Sequence, residues 1–132
     1  MSASGAARWL ELAAEDIAMA EYALSGGIFR QVCFHAQQAV EKALKGLLVA
    51  RVGTHTKSHS LEQLLLSEPG VHAELRGWQA RLRRLDQFYL PTRYADAVPE
   101  GAGEPTREEA EEAVRDAKAV IAEIQARIVG EA

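Results

Sequence analysis

Five residues within Phe29–Val52 have types and spacing that could do chemistry together: His35, Gln38, Glu41, Lys42 and Lys45. They recur every three or four positions, so on a helix their side chains stack along one polar stripe. Such a stripe is either solvated or a site. Glu41 and Lys45 read most simply as an i, i+4 ion pair contributing a few tenths of a kcal/mol. Gln38 is harder to dismiss, because core residues flank it on two sides. A second group lies near the far end of a later helix, where Asp86, Tyr89, Arg93 and Tyr94 fall within one short stretch. A guanidinium fork binds phosphate bidentately, and tyrosine rings on either side can stack on a base. Arg76, Arg81, Arg83 and Arg84 make the preceding helix the most basic part of the chain. Positive charge beside stackable rings is the composition that single-stranded nucleic acid or a nucleotide requires. Asp86 and Asp96 are placed to orient Arg93 or to neutralise it. His59, directly before Ser60, either closes its ring over a helix start or contacts a nucleotide or RNA. His55 and His59 are four apart like zinc ligands, but with no third donor nearby they do not make a metal site, and no cofactor is expected.

These groups must be positioned by helices. In Phe29–Val52, Val32, Ala36, Ala39, Val40, Ala43, Leu44, Leu47 and Leu48 form an apolar face wider than a surface helix needs, so this is the central helix. Before it, a helix running from about Ser4 or Ala6 to Leu24 carries Trp9, Ala13, Ile17, Ala20 and Leu24 at core spacing. Ser25-Gly26-Gly27 then turns the chain back antiparallel. After Gly53 comes the loop GTHTKSHS, and Ser60-Leu61-Glu62-Gln63 fits a capping box opening a short helix to about Leu66. Ser67-Glu68-Pro69-Gly70 breaks it, and Leu75, Trp78, Leu82, Leu85 and Tyr89 mark a helix over Val71–Tyr89. No periodicity survives from Leu90 to Pro105. Thr106-Arg107-Glu108-Glu109 is a second capping box, opening a last helix that ends near Gly130. The expected architecture is all-α: an antiparallel up-and-down bundle of four long helices plus one short helix.

Residues 1–132 read as a single domain, long enough to bury a core without metals or disulfides. A formal charge of −4 with 48% apolar and 26% charged residues excludes disorder as the default, and the global charge alone predicts no nucleic-acid partner. The single cysteine, Cys33, rules out a disulfide framework, and no stretch reads as a leader or a membrane span. A cytoplasmic location is expected. The breadth of the central apolar face and the heptad-like stripe of the fourth helix predict a homodimer.

The runs FHAQQAVEKALKGLL, HSLEQLL and LDQFYLPTRYAD, in this order and spacing, resemble the HEPN domain family of bacteria and archaea. The most specific parts are Gln38–Lys45 and Tyr89–Tyr94. The resemblance covers about Trp9 to Ile128. It implies a helical bundle that commonly dimerises, is often encoded beside a minimal nucleotidyltransferase, and binds or acts on RNA or nucleotides. Some members are toxins with metal-independent ribonuclease activity, and these resemble one another in an arginine followed four to six residues later by a histidine. Arg93 takes the arginine position, but Val98, Pro99 and Glu100 stand where the histidine belongs. Arg30 and His35 have a suitable separation, yet five helical residues place them about 140° apart around the axis. The resemblance therefore implies a nucleotide- or RNA-binding domain working with a nucleotidyltransferase partner in a toxin–antitoxin-like module. The competing reading is a ribonuclease toxin in which His35 or His59 supplies the missing base. The binding set expected on these grounds is Gln38, Glu41, Lys45, His59, Asp86, Tyr89, Arg93 and Tyr94.

Overall fold

The computed structural model describes residues 2–89 and 104–129. Helices α1 (Ser2–Ser25) and α2 (Phe29–Val52) form the antiparallel hairpin that the glycines predict, with Gly27 at φ 72°. Gly46 sits where the two helices press together. A Cβ there would lie 3.0 Å from the Cβ of Trp9 and 3.3 Å from the carbonyl of Ala6, so no larger residue fits without moving α1. Helix α2 ends at Gly53, whose left-handed φ of 79° lets its N–H reach the Val49 carbonyl at 2.9 Å.

After the loop come α3 (Leu61–Leu66), α4 (Pro69–Glu74) and α5 (Gln79–Asp86), and α6 (Arg107–Val129) closes the bundle. All described elements are helical, as expected. The fourth helix, however, is divided. Pro69 opens α4 instead of merely ending α3, because proline suits the first helical turn and the Glu68 carboxylate caps the Val71 N–H at 3.1 Å. At Leu75 the backbone leaves helical geometry (φ −112°, ψ 20°), and a 3₁₀ turn over Arg76–Trp78 precedes α5. Gly77, a poor helix former, occupies that turn. The apolar spacing nevertheless holds across the break, with Leu75, Leu82 and Leu85 all buried.

The second capping box forms in full: Thr106 and Glu109 exchange backbone-to-side-chain hydrogen bonds at 2.8 and 3.1 Å. The first forms by half. The Gln63 N–H donates to Ser60 Oγ at 3.2 Å, but the Gln63 side chain accepts from Ser58 instead, and Ser58 Oγ takes the Ser60 N–H at 3.0 Å.

The core lies around α2, which packs against α1, α3, α4, α5 and α6. Val32, Ala36, Val40, Leu44, Leu47 and Leu48 are all buried within the single chain, so the breadth of this face is accounted for without a second copy. Cys33 is buried among them, and loss of solvation, reinforced by the charge of Glu109, pushes its thiol up to about 12. Across the bundle, Lys118 of α6 pairs with Glu21 of α1 at 2.9 Å.

Glu74 ties three helices together. Its carboxylate accepts from Arg51 Nε and Nη2 at 2.7 and 2.8 Å and lies 3.5 Å from Arg127 Nη1. The Arg51 hydrogen bonds hold this carboxyl below its ordinary value of 4.5, with Arg127 adding to the effect. A lowered folded-state pKa means stabilisation that is present above the unfolded value and lost as pH falls through the folded one. Glu74→Gln should therefore lower the melting temperature at pH 7, with the difference from wild type shrinking as pH falls through the value of the folded carboxyl, which thermal melts across an acid series would check.

Candidate functional site

The polar stripe of α2 is not solvated. Glu41 and Lys45 form an ion pair at 2.9 Å with side chains only 6% and 9% exposed. Lys45 also lies 5.8 Å from the centre of the Trp9 ring, so α1 covers the pair. Around Glu41 a polar group assembles. Gln38 donates to its Oε1 at 3.1 Å, and His59 Nδ1 approaches its two oxygens at 3.2 and 3.4 Å. Gln38 also donates to Gln37 Oε1 at 2.8 Å, and the fully buried Gln37 donates to the His59 carbonyl at 2.9 Å. The loop is thereby held to α2 through both the backbone and the ring of His59.

His59 does not close over the start of α3. Its ring stacks on Tyr89, with centroids 5.1 Å apart and planes 10° from parallel, and its side chain is 58% exposed. A carboxylate only accepts hydrogen bonds, so its partner Nδ1 carries the proton in the neutral ring and Nε2 is left as an acceptor. Nε2 makes no hydrogen bond among the described residues. The result is an outward-facing imidazole, fixed by a buried carboxylate and backed by a tyrosine ring.

The other half of the stripe faces α1. His35 Nδ1 lies 2.9 Å from Asp16 Oδ1, and Lys42 takes the other oxygen of the same carboxylate. Arg30 pairs instead with Glu104 at 2.7 Å, so Arg30 and His35 do not converge. The two loop histidines also diverge, since His55 packs edge-on against Trp9 at 5.2 Å.

Asp86, expected beside Arg93, is occupied at the start of α3. It accepts from Ser60 Oγ at 3.1 Å and from the Leu61 and Glu62 N–H groups at 2.7 and 3.1 Å. It caps α3 from a distant element, satisfying amides that the helix itself cannot. Asp86→Ala should cost about 2 kcal/mol, more than an ordinary cap because three donors lose their acceptor, and calorimetry would show it.

The arginines of α5 are largely neutralised. Arg83 donates to Glu62 at 2.6 Å, and Arg84 bonds both oxygens of Asp116 at 3.2 and 3.3 Å. Hydrogen bonds from Gln79 and then Arg83 hold the Glu62 carboxyl below its ordinary range, and Asp116 pushes Arg84 up. Arg81 lies over the Trp78 ring at 4.6 Å and 3.6 Å from Asp116. The expected basic face is thus an ion-pair network. Arg93 and Tyr94 lie outside the described residues, as do Val98, Pro99 and Glu100.

Of the expected set, Gln38, Glu41, Lys45, His59 and Tyr89 come together. Gln37 and Asp16 were not singled out from the sequence. Gln37 carried a signal, since it stands at core spacing with Cys33, Val40 and Leu44, where an amide must find a buried partner.

A family model described as the HEPN domain matches residues 6–127. The fold is similar to TT1696 from Thermus thermophilus, at 39% identity and TM-score 0.80, over 91% of this chain and 95% of that one. It is also similar to ST0689, an archaeal HEPN homologue, at 33% identity and TM-score 0.74, over 93% of this chain and 97% of that one. No curated protein matches the chain. With the family model spanning nearly the whole bundle and both structural relatives aligned almost end to end, the chain belongs to the HEPN domain family.

Proposed function

We propose that this chain is a nucleotide- or RNA-binding HEPN-type domain that works with a minimal nucleotidyltransferase protein in a toxin–antitoxin-like module. The observation that carries the reading is the His59–Tyr89 stack, with its outer imidazole nitrogen open and its inner one anchored on Glu41. A base can continue such a stack, and Nε2 can meet a ribose hydroxyl or, when protonated, a phosphate oxygen. Arg93, four residues beyond Tyr89 in sequence, supplies the guanidinium for phosphate. The partner rests on the family relationship. A cytoplasmic location accords with the absence, among the described residues, of a helix long and apolar enough to cross a membrane. A homodimer is part of the same proposal. With the α2 face already covered, the exposed Met19 and Tyr22 of α1 are the apolar surface that supports it. Sedimentation showing only a 14.4 kDa species would remove that element.

One observation favours the second reading, a metal-independent ribonuclease. An imidazole oriented by a carboxylate is the arrangement that proton transfer requires, and Glu41–His59 supplies one away from the expected histidine position.

The test incubates purified protein with oligoribonucleotides in the presence of a chelator, with and without the nucleotidyltransferase protein encoded beside it. The expected result is binding that Arg93→Ala largely abolishes, co-elution with the partner, and little cleavage by the chain alone. Cleavage lost on His59→Ala would establish the second reading. Cleavage indifferent to both Arg93→Ala and His59→Ala, or no RNA binding at all, would contradict both.

A further inference from the structure

The His59–Tyr89 stack joins rings from distant parts of the chain, one just before α3 and one just after α5, so those two segments must be fixed relative to each other. A single ring pair is a weak tether. The Asp86 carboxylate, at the end of α5, takes the Leu61 N–H on Oδ1 at 2.7 Å, and takes Ser60 Oγ and the Glu62 N–H on Oδ2, both at 3.1 Å. It thus spans the two segments. Its donors belong to the residues that directly follow His59, while Tyr89 stands three residues beyond Asp86 itself. Little freedom remains on either side. The Phe88 N–H donates to the Leu85 carbonyl at 3.1 Å and the Phe88 side chain is buried, which fixes the turn leading from Asp86 to Tyr89. On the other side, Gln37 holds the His59 carbonyl at 2.9 Å and Ser58 Oγ accepts the Ser60 N–H at 3.0 Å.

We infer that Asp86 is a positioning residue for the base-binding stack, setting how Tyr89 lies against His59 without itself touching the ligand. The inference rests on the nucleotide- or RNA-binding reading above. A helix start is ordinarily served by one side-chain acceptor, and Ser60 Oγ already fills that place by accepting the Gln63 N–H at 3.2 Å. What Asp86 adds is a bond between elements. Its three charge-assisted hydrogen bonds tie the start of α3 to the end of α5 more firmly than neutral ones would. The two rings are then placed by separate anchors. Gln37 and Glu41 hold His59 to α2, and Asp86 sets the segment carrying Tyr89 against the segment carrying His59. With three donors already on its two oxygens, Asp86 acts through the rings rather than on a ligand.

The test compares Asp86→Ala with Glu68→Ala, which removes the side-chain cap of α4 and touches neither ring. Both variants should melt earlier than wild type. Two further readouts, taken at a temperature where each protein is folded, separate a cap from a positioning residue: the His59 imidazole proton shifts in the free protein, which a stacked Tyr89 ring displaces upfield, and the affinity for a short labelled oligoadenylate by fluorescence anisotropy. Glu68→Ala should match wild type in both. In Asp86→Ala the upfield displacement should shrink and the affinity should fall by about fivefold or more, the size of one lost stacking contact. Asp86→Asn, which keeps one acceptor oxygen, should show a smaller loss of the same kind and carries the test if Asp86→Ala does not fold. Unchanged affinity in a folded Asp86 variant would overturn the positioning role and leave the binding reading standing. Equal losses in Glu68→Ala would trace the effect to stability alone and would also overturn the role. A wild-type protein that binds no oligoadenylate, with the His59 displacement present, would overturn the binding reading and the role that depends on it.

Discussion

Glu41→Leu, with Lys45 left in place, is expected to lower the melting temperature by about 10–20 °C. Removing one partner of a buried ion pair leaves the other charge desolvated and unmatched, which costs about 3–5 kcal/mol. The Glu41–Lys45 geometry meets that condition, since both side chains are under 10% exposed and Trp9 closes over the ammonium. The pair is therefore not the few-tenths surface contact that an i, i+4 spacing alone suggests. Glu41→Leu combined with Lys45→Leu should recover much of the loss, because well-packed apolar residues can replace a buried pair at little net cost. The double variant still lacks the anchor for His59 Nδ1, so it should fold yet bind nucleotide or RNA weakly. Calorimetry on the single and double variants, with binding measured on the double one, separates the structural duty of Glu41 from its positioning duty. A single variant that melts within a few degrees of wild type would contradict the burial argument.

The second large effect concerns binding. His59→Ala and Tyr89→Ala should each weaken binding of a short oligoribonucleotide by about 5- to 100-fold, the range for losing one stacking ring. His59→Ala should do so with little thermal cost. Its ring is largely exposed, and the backbone carbonyl that accepts from Gln37 remains in the alanine variant. Equal affinity in wild type and both variants would place the ligand elsewhere.

Much of the fold was legible because the signals were local. Gly26-Gly27 and Gly53 ended helices where left-handed turns are needed, and Thr106–Glu109 capped a helix by itself. The division of the fourth helix was less legible. Its apolar spacing continues through the break, while Pro69 starts a helix as readily as it ends one, and only a glycine at position 77 marks the interruption. The candidate site was half legible. Gln38, Glu41 and Lys45 could be placed on one face from helical spacing, but whether that face meets water or α1 depends on packing that spacing does not encode. What Asp86 and the α5 arginines bind was not legible for a related reason. Their partners, the start of α3 and Asp116, are distant in sequence, so the residues looked available when they were already committed. Gln37 stands within the apolar stripe of α2 and Asp16 beside that of α1, and long-range hydrogen bonds make their burial possible.

The claim that the His59–Tyr89 stack receives a base is tested most directly by following the four histidine side chains by NMR while a short oligoribonucleotide is titrated in. A base on the stack should give saturable shifts of the His59 imidazole resonances, with those of His72 on α4 unmoved. Saturable shifts at other residues with His59 unmoved, or no shifts at millimolar oligonucleotide, would contradict it.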